Sequence, residues 1–525
     1  MFAFFSLVAG ASAAAFIDSG TIVGTTTKVE IPSDTATVNK YLGIPFANKP
    51  ERFRLPEPVS PWSEPFDASQ YRPACYQAIS ETTQAYYDGV GLGELPVEEN
   101  EDCLNLNVFT PSAASAGSKP VLVWIYGGSW QDGANSYPMY DGSNIVANQD
   151  VVFVSFNYRT NVFGFPADES IAVSERNLGL HDARLALDWV QRNIASLGGD
   201  PFKVTLVGES AGSWIIDTLL TTPSITPLPF RAAIMASGLL SVTATPLNPP
   251  AYKEAWTTLA GLAGCSPDPA FTCLQAYPAK ELQSLIIQNN LTFSGHPDNG
   301  TTISPTPRLN RLAGQTARVP ILIGTNHDEA TPFTIGLNNT RVALRSLGLA
   351  NSTTNQLLSA YPLDPGTPGL QAENARITRI LTEALMQCPS HIFANDTRSL
   401  NIPVYRFLFN ASFPNTEFFA GAGAYHGIEV PFFFGTYMRE NATVFQGVVS
   451  RVVQSAYADF ARDPVAGPGW GEFPVVGVFG GGVTPYNDDK GRRPLSTVDA
   501  GVFDRRCGLY YGVYDANTGG INGMV

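Results

Sequence analysis

Short, unbroken apolar runs recur along the chain and alternate with stretches that have helical spacing. Continuous apolar runs are typical of strands that are covered on both faces. Six such runs predict buried strands, at residues 121–126, 151–156, 204–207, 232–236, 320–323 and 404–409. Residues 177–197 predict a helix with one apolar stripe, which ends at Gly198-Gly199-Asp200-Pro201. Alternation of strands and helices predicts an α/β fold, with a large, mostly parallel central sheet flanked by helices.

Composition places this fold in a single large domain. The chain has 525 residues, of which 44% are hydrophobic and only 15% charged, so a large core is expected and disorder is not. No Pro/Ser-rich linker divides it, which predicts one domain over residues 16–525. The formal charge of −14 argues against a nucleic-acid partner. No apolar run reaches the roughly 20 residues that a membrane-spanning helix needs, so no integral membrane segment is expected.

Three signals predict a secreted protein. Residues 1–15 are apolar or small and resemble a signal peptide, with a cleavage pattern at 11–13 or 13–15. Six cysteines suit an oxidising compartment; they allow fifteen pairings, of which proximity favours Cys75–Cys103 and Cys265–Cys273, leaving Cys388–Cys507. Seven Asn-X-Ser/Thr sequons predict surface glycosylation, at Asn290, Asn299, Asn338, Asn351, Asn395, Asn410 and Asn441.

The sequence Gly208-Glu209-Ser210-Ala211-Gly212 is a candidate nucleophile motif. It follows one predicted strand directly, and an apolar helical pattern follows it. A strand, a tight turn and a helix form a nucleophile elbow, which presents the serine hydroxyl above the sheet. The amide of Ala211 would then point at the reacting oxygen.

A nucleophilic serine needs a base, and the base needs an orienting acid. In this fold the chain order is serine, acid, histidine, which disfavours His181 among the five histidines. His426 lies in a loop between a strand and an apolar stretch, where catalytic groups are common. Asp328 and Glu329 both follow the predicted strand at 320–323, and the pattern by itself does not choose between them.

An oxyanion hole requires backbone donors on a glycine-rich turn after an early strand. Gly127-Gly128-Ser129-Trp130 follows the strand predicted at 121–126 and meets that requirement. The sequence contains no metal-ligand cluster, phosphate-binding loop or dinucleotide fingerprint, so no metal and no cofactor are expected.

With these motifs in place, the chain resembles the type-B carboxylesterases and lipases, including secreted fungal members. This is the cholinesterase-like branch of the α/β-hydrolase fold. The resemblance runs from Tyr41 to Tyr510, and several ordered motifs besides the elbow carry it. They lie at 42–46, 52–58, 101–107, 157–159, 177–180 and 427–432.

The resemblance assigns roles that the pattern leaves open. It implies Glu329 as the acid, His426 as the base, and the amides of Gly128, Ser129 and Ala211 as the oxyanion hole. A serine at position 129 departs from the three glycines usual in the family. The resemblance also implies Ser237, Glu209 and Glu429 as residues around the catalytic groups, buried pairs Arg52–Glu101 and Arg159–Asp182, the three disulfides named above, and an Ω-loop flap between Cys75 and Cys103.

The implied function is a secreted serine carboxylic ester hydrolase that acts through an acyl-enzyme on soluble small-molecule esters. The flap is short and acidic towards its end, which favours soluble esters over a fat droplet. It has no tryptophan, which disfavours choline esters. The alternatives are a triacylglycerol or sterol-ester lipase, a biosynthetic acyltransferase or lactonase, and a non-catalytic adhesion relative. Neither the natural ester nor the oligomeric state follows from the sequence.

Overall fold

A computed structural model describes residues 13–31, 34–222, 227–242, 249–265, 270–346, 349–367, 369–481, 492–512 and 514. Most of the predicted signal peptide, residues 1–12, lies outside the described residues. The last three residues of that predicted segment, 13–15, begin the first strand and pair with the second. The signal peptide and the boundary of the single domain therefore stay predictions.

The described residues form thirteen strands, which belong to one sheet. All six strands predicted from apolar runs are confirmed, with bounds shifted by a few residues, and every residue of β7, β9, β10 and β11 is buried. The strands are β1 Ala13–Ile17, β2 Gly20–Ile31, β3 Asp34–Pro45, β4 Phe66–Asp67, β5 Asn105–Pro111, β6 Lys119–Ile125, β7 Val152–Phe156, β8 Gly199–Glu209, β9 Ala232–Ala236, β10 Ile321–Asn326, β11 Val404–Phe409, β12 Val475–Phe479 and β13 Leu495–Asp499.

The sheet is parallel in its middle and antiparallel at both ends. Its order is β1-β2-β3-β5-β7-β6-β8-β9-β10-β11-β12-β13, with β4 beside β2. The neighbours from β7 to β12 in this order pair in parallel, whereas the other neighbours in the order pair antiparallel. The short strand β4 pairs with β2 in parallel. Parallel strands end at the same edge, so the segments that follow β8, β9, β10 and β11 are brought together there.

Fifteen α-helices lie among the described residues. The predicted helix at 177–197 is observed as α4, which continues into a 3₁₀ turn at Ile194–Leu197. The helices are α1 Glu81–Val90, α2 Ser143–Gln149, α3 Asn161–Gly164, α4 Leu178–Asn193, α5 Ala211–Thr221, α6 Pro249–Leu262, α7 Ala270–Ala276, α8 Ala279–Gln288, α9 Pro307–Leu312, α10 Thr340–Ser346, α11 Asn351–Ala360, α12 Gly369–Thr382, α13 Cys388–Ser399, α14 Glu429–Phe434 and α15 Val444–Arg462.

Covalent and ionic links fix the loops around the sheet. The three predicted disulfides are confirmed, with Cys75–Cys103, Cys265–Cys273 and Cys388–Cys507 all joined. Both predicted ion pairs are present as well, and each arginine binds its carboxylate through two nitrogens. Arg159–Asp182 is buried as predicted, whereas Arg52–Glu101 is only partly buried. Such bidentate ion pairs fix the orientation of both side chains.

The seven sequons differ in exposure. Asn410 is half-buried at the end of β11, whereas the other six asparagines are exposed. The amide of Asn410 donates to the carbonyl of Phe479, 2.9 Å away, so this asparagine is tied to the sheet. Glycosylation at any of the seven stays a prediction.

Candidate active site

Ser210 lies at a strained turn between β8 and α5. Its φ of 53° and ψ of −123° are unusual for a residue with a side chain. Glycine at position 212 lets the turn pack closely against β6, because a Cβ added there would lie 2.0 Å from the carbonyl oxygen of Ile125. The amide of Ser210 donates to the carbonyl of Ala236, 3.0 Å away, at the end of β9. The local structure is therefore the predicted elbow.

Glu329 and His426 meet beside this elbow. The distance from Glu329 Oε2 to His426 Nδ1 is 2.7 Å, and both side chains are buried. The other carboxylate oxygen of Glu329 accepts from Ser237 Oγ at 2.5 Å and from the amide of Asn326 at 2.7 Å. Three groups therefore bind this carboxylate, which lies at the Nδ1 edge of the imidazole and fixes the orientation of the ring.

Three buried carboxylates surround His426. Nε2 of the ring lies 3.2 Å from Glu209 Oε1, and Glu429 is also buried nearby, with Oε2 accepting from Asn326 Nδ2 at 2.5 Å. Burial raises the pKa of Glu209 to about 7 and the pKa of Glu429 to about 8. Burial lowers the pKa of His426, but Glu209, Glu329 and Glu429 outweigh that effect and raise it to about 9.

The glycine-rich turn after β6 lies beside the serine. Gly128 has a φ of 101°, and an added Cβ would lie 2.3 Å from the carbonyl oxygen of Asp132, so only glycine fits there. Ser129 adopts a φ of 54° although it has a side chain, and that side chain is exposed. The serine therefore finds room for its side chain, and its backbone amide remains a possible donor.

A sequence model described as "Carboxylesterase family" matches residues 11–467 of the chain. The chain belongs to the carboxylesterase family. It is 32% identical to an acetylcholinesterase of Bungarus fasciatus, over 84% of this chain and 77% of that relative. It is 28% identical to a cholinesterase of Mus musculus, over 83% and 76% of the two chains. An acetylcholinesterase of Electrophorus electricus is 30% identical, over 83% and 78%.

Membership of the carboxylesterase family makes the chain a carboxylic ester hydrolase of the serine-esterase class, with an α/β-hydrolase fold. In the part of the chain that the structure describes, no helix has the length and apolarity to cross a membrane. Within the same described residues, no group of three or more His, Cys, Asp or Glu side chains is arranged to hold a metal ion.

A cavity of about 420 Å³ opens beside the candidate catalytic residues of this carboxylesterase-family chain. Ser210, His426 and Glu209 line it, together with Gly128 and Ser129 of the glycine-rich turn. The flap forms a further wall through α1, from which Tyr86, Tyr87 and Val90 face the cavity. The remaining lining is mixed, with polar residues that include Gln131 and Asp132, and with apolar side chains, namely Leu92, Met139, Ile286, Ile287, Leu291, Phe333 and Val430.

The acid that the sequence left open beside Glu329, and two of the other histidines, lie in different places. Asp328 does not touch His426; one of its carboxylate oxygens lies 2.9 Å from His327 Nδ1 and the other accepts from the amide of Ala424 at 2.9 Å. His181 lies on α4, and His391 lies on α13 and binds Asp504. Among the described residues, therefore, only Glu329 of the two acids reaches His426.

Two residues beside the site, Asn326 and Phe333, were not predicted from the sequence. Asn326 ends β10 and binds Glu329, Glu429 and the carbonyl of Tyr425, so it links the acid to the loop of His426. Phe333 places its ring centroid 5.3 Å from that of His426. An asparagine at a strand end, three residues before a candidate acid, is the pattern that would have indicated the first of these.

Proposed function

We propose that Ser210, His426 and Glu329 form the catalytic triad of a secreted esterase that hydrolyses soluble carboxylic esters. The observation that carries the proposal is the 2.7 Å contact between His426 Nδ1 and Glu329 Oε2, beside a serine at an elbow on the same cavity. A base oriented by a buried acid next to a strained nucleophile is the arrangement that activates a serine. Family membership supports the reaction class.

The proposed reaction has two acyl-transfer steps. His426 Nε2 takes the proton of Ser210 as Oγ attacks the ester carbonyl, and the imidazolium then gives the proton to the leaving alcohol. Water attacks the acyl-enzyme by the same route and releases the acid. Glu329 orients the ring and stabilises the imidazolium, while the amides of Gly128, Ser129 and Ala211 hold the oxyanion.

Nε2 of His426 has to face Ser210 for this reaction. In the structure that nitrogen lies 3.2 Å from Glu209 Oε1, a residue adjacent to Ser210 in the chain. Catalytic hydrogen bonds often tighten only when substrate is bound. We therefore propose that a small rotation of the ring exchanges Glu209 for Ser210 Oγ, with Glu209 remaining close enough to stabilise the imidazolium.

The polarity of the flap surface favours soluble esters as substrates over lipids at an interface. The exposed positions of α1 are Glu81, Thr82, Gln84, Ala85 and Asp88. A polar, partly acidic outer face does not match the broad apolar surface that binds a fat droplet. The cavity-lining residues that the structure describes include tyrosines and a phenylalanine but no tryptophan, which gives no support to choline esters for this chain.

A lipase is the second candidate, and one observation favours it. Phe333 lines the cavity with half of its surface exposed, and Ile335 and Leu337 of the same segment are also exposed. An apolar segment beside the cavity would suit a long acyl chain or a lipid surface. The chain-length series described next separates this candidate from a soluble esterase.

The test is hydrolysis of p-nitrophenyl esters, from acetyl to palmitoyl, by the full chain and by Ser210→Ala. Ser455→Ala is the matched control, because Ser455 lies on α15 and lines no part of the cavity. We expect activity to peak at short acyl chains, to fall more than 100-fold in Ser210→Ala, and to persist in the control. A peak at long chains above their solubility limit would favour the lipase, and more than about 1% residual activity in Ser210→Ala would refute the triad.

Secretion is part of this proposal. The three disulfides suit an oxidising compartment, and six of the seven sequon asparagines are exposed. N-terminal sequencing of protein recovered from a eukaryotic culture medium tests it. A cut after Ala13 or Ala15 would support the signal peptide, whereas protein retained in the cells with Met1 in place would contradict it.

A further inference from the structure

Helix α1 of the flap contacts both loops that carry the proposed catalytic groups. Ser80 caps its first turn by accepting from the amide of Thr83 at 3.1 Å, and Gly91 ends it in a left-handed conformation. The helix presents two neighbouring tyrosines, Tyr86 and Tyr87, to the cavity. Each hydroxyl binds a different loop.

Tyr86 binds the loop of the proposed base. Its hydroxyl donates to the backbone carbonyl of His426 at 2.5 Å, across 340 positions of sequence. The next residue, Gly427, has a φ of 78°, and an added Cβ would lie 3.0 Å from that hydroxyl. Phe418 packs edge-on against both Tyr86 and Tyr425, the residue before the histidine. Tyr86 of the flap therefore binds the backbone of His426 directly and contacts the preceding residue, Tyr425, through Phe418.

Tyr87 binds the loop of the proposed oxyanion hole. Its hydroxyl donates to the carboxylate of Asp132, a buried residue four positions after Gly128. The amide of Asp132 donates to the carbonyl of Gly128 at 3.2 Å. The two residues are also closely packed, since a Cβ built on Gly128 would lie 2.3 Å from the carbonyl oxygen of Asp132. A displacement of Asp132 would therefore displace an oxyanion donor.

The start of the flap is joined to the same glycine-rich loop. The amide of Ala78 donates to the carbonyl of Gln131 at 2.9 Å, and the amide of Gly133 donates to Gln77 Oε1 at 2.7 Å. The disulfide Cys75–Cys103 closes the flap at its base. The flap is therefore bound at its base and along α1, rather than lying loosely over the cavity.

We propose that Tyr86 and Tyr87 are positioning residues, which make the closed flap a structural part of the catalytic centre. The inference rests on the proposed function. Tyr86 sets the backbone of the base, and Tyr87, through Asp132, sets the backbone of an oxyanion donor. Lifting α1 breaks both hydrogen bonds at once, so the site is fully assembled only while the flap is down.

The test compares Tyr86→Phe and Tyr87→Phe with the unmodified chain on a short-chain p-nitrophenyl ester. Tyr405→Phe is the matched control, because the hydroxyl of Tyr405 also donates to a backbone carbonyl, that of Val465 at 2.5 Å, and lines no part of the cavity. We expect kcat to fall roughly three- to tenfold in each test variant, the range for losing one hydrogen bond, with KM changed less than twofold. The control should keep both constants.

Two further measurements separate positioning from simple loss of stability. The rate at which a fluorophosphonate labels Ser210 should fall with kcat in Tyr86→Phe, because the reagent needs the base but no ester-binding contact. The inhibition constant of an alkyl trifluoromethyl ketone should rise in Tyr87→Phe by the factor that kcat/KM loses, since its adduct places an oxyanion in the hole. Circular dichroism at the assay temperature should show all variants folded.

The outcomes are distinct. A fall in kcat of less than twofold in either variant overturns the assignment for that tyrosine. A rise in KM with kcat intact also overturns it, because the hydroxyl would then serve substrate binding. If the unmodified chain neither hydrolyses the ester nor takes up the fluorophosphonate, the proposed function and this inference both fail. If it does both, and the variants match it, only the inference fails.

Discussion

His426 Nδ1 lies 2.7 Å from Glu329 Oε2, whereas Asp328, the preceding residue, binds His327 and the amide of Ala424 instead. Adjacent carboxylates thus have different surroundings. The Glu329 side chain is fully buried, and the Asp328 side chain is 28% exposed. Only one of them can orient the imidazole and stabilise its charged form.

The two acids should therefore differ in kinetic effect. Glu329→Gln is expected to lower kcat by about 10⁴-fold, because an amide stabilises neither the required tautomer nor the imidazolium. Asp328→Asn should lower kcat less than tenfold, since Asp328 supports the loop and does not touch the ring. Steady-state kinetics on one ester would check both, and the reverse ranking would move the acid to Asp328.

Replacing the Glu209 carboxylate should shift the pH profile of kcat/KM towards lower pH. Glu209 and its neighbours raise the pKa of His426, so the neutral base is populated only at higher pH. Glu209→Gln removes one negative charge 3.2 Å from Nε2, which lowers that pKa. We expect the acid limb of kcat/KM to move down by at least about one pH unit, with a lower plateau because the imidazolium loses stabilisation. An acid limb that stays in place or moves up would contradict this electrostatic role.

Substitutions at two neighbouring positions of the glycine-rich turn should have very different effects on kcat. Gly128→Ala brings a Cβ within 2.3 Å of Asp132 and should lower kcat about 10²- to 10³-fold, the effect of losing one oxyanion donor. Ser129→Gly removes an exposed side chain at a φ of 54° and should keep kcat within threefold. Kinetics of the two variants would test this, and a larger loss in Ser129→Gly would assign the serine side chain a role.

Breaking the buried ion pair Arg159–Asp182 should lower the free energy of unfolding far more than breaking an exposed ion pair. Arg159 binds Asp182 at 2.7 and 2.8 Å, and its Nη1 also donates to the carbonyl of Arg54 at 2.8 Å. Asp182→Asn leaves a buried guanidinium without its counter-charge and should lower the free energy of unfolding by about 3–5 kcal/mol. Lys253→Ala breaks an exposed pair with Glu169 and should cost less than about 1 kcal/mol. Chemical denaturation would compare them, and equal costs would argue against the buried pair.

Glycan occupancy should follow exposure. A glycan is bulky and solvated, whereas Asn410 is half-buried and its backbone amide is hydrogen-bonded to the sheet. In protein made through a eukaryotic secretory pathway, we expect Asn410 to carry no glycan and the six exposed sequons to be the occupied ones. Mass spectrometry after enzymatic deglycosylation would map them, and a fully occupied Asn410 would contradict the expectation.

Much of the fold was predictable because its central strands are buried on both faces. The runs that became β6 to β11 are continuous, apolar and only a few residues long, which favours buried strands over helices. The antiparallel strands β2 and β3 escaped prediction, because they are Thr-rich, partly exposed and lack such runs. Burial on one face leaves a weaker signal in a sequence than burial on two.

The sequence by itself determined the order of the motifs, the elbow around Ser210 and two of the cysteine pairs, since these depend on local patterns and short separations. The pair Cys388–Cys507, 119 positions apart, followed only as the pair that remained. The local pattern left two adjacent acids open and the family resemblance implied Glu329, but only the tertiary structure shows that Glu329 contacts His426. Only the structure shows, too, that Tyr86 binds the carbonyl of a residue 340 positions away. Those contacts depend on how parallel strand ends and the flap converge at one edge of the sheet. A distance of a few ångströms between remote residues is a property of packing, which no local pattern encodes.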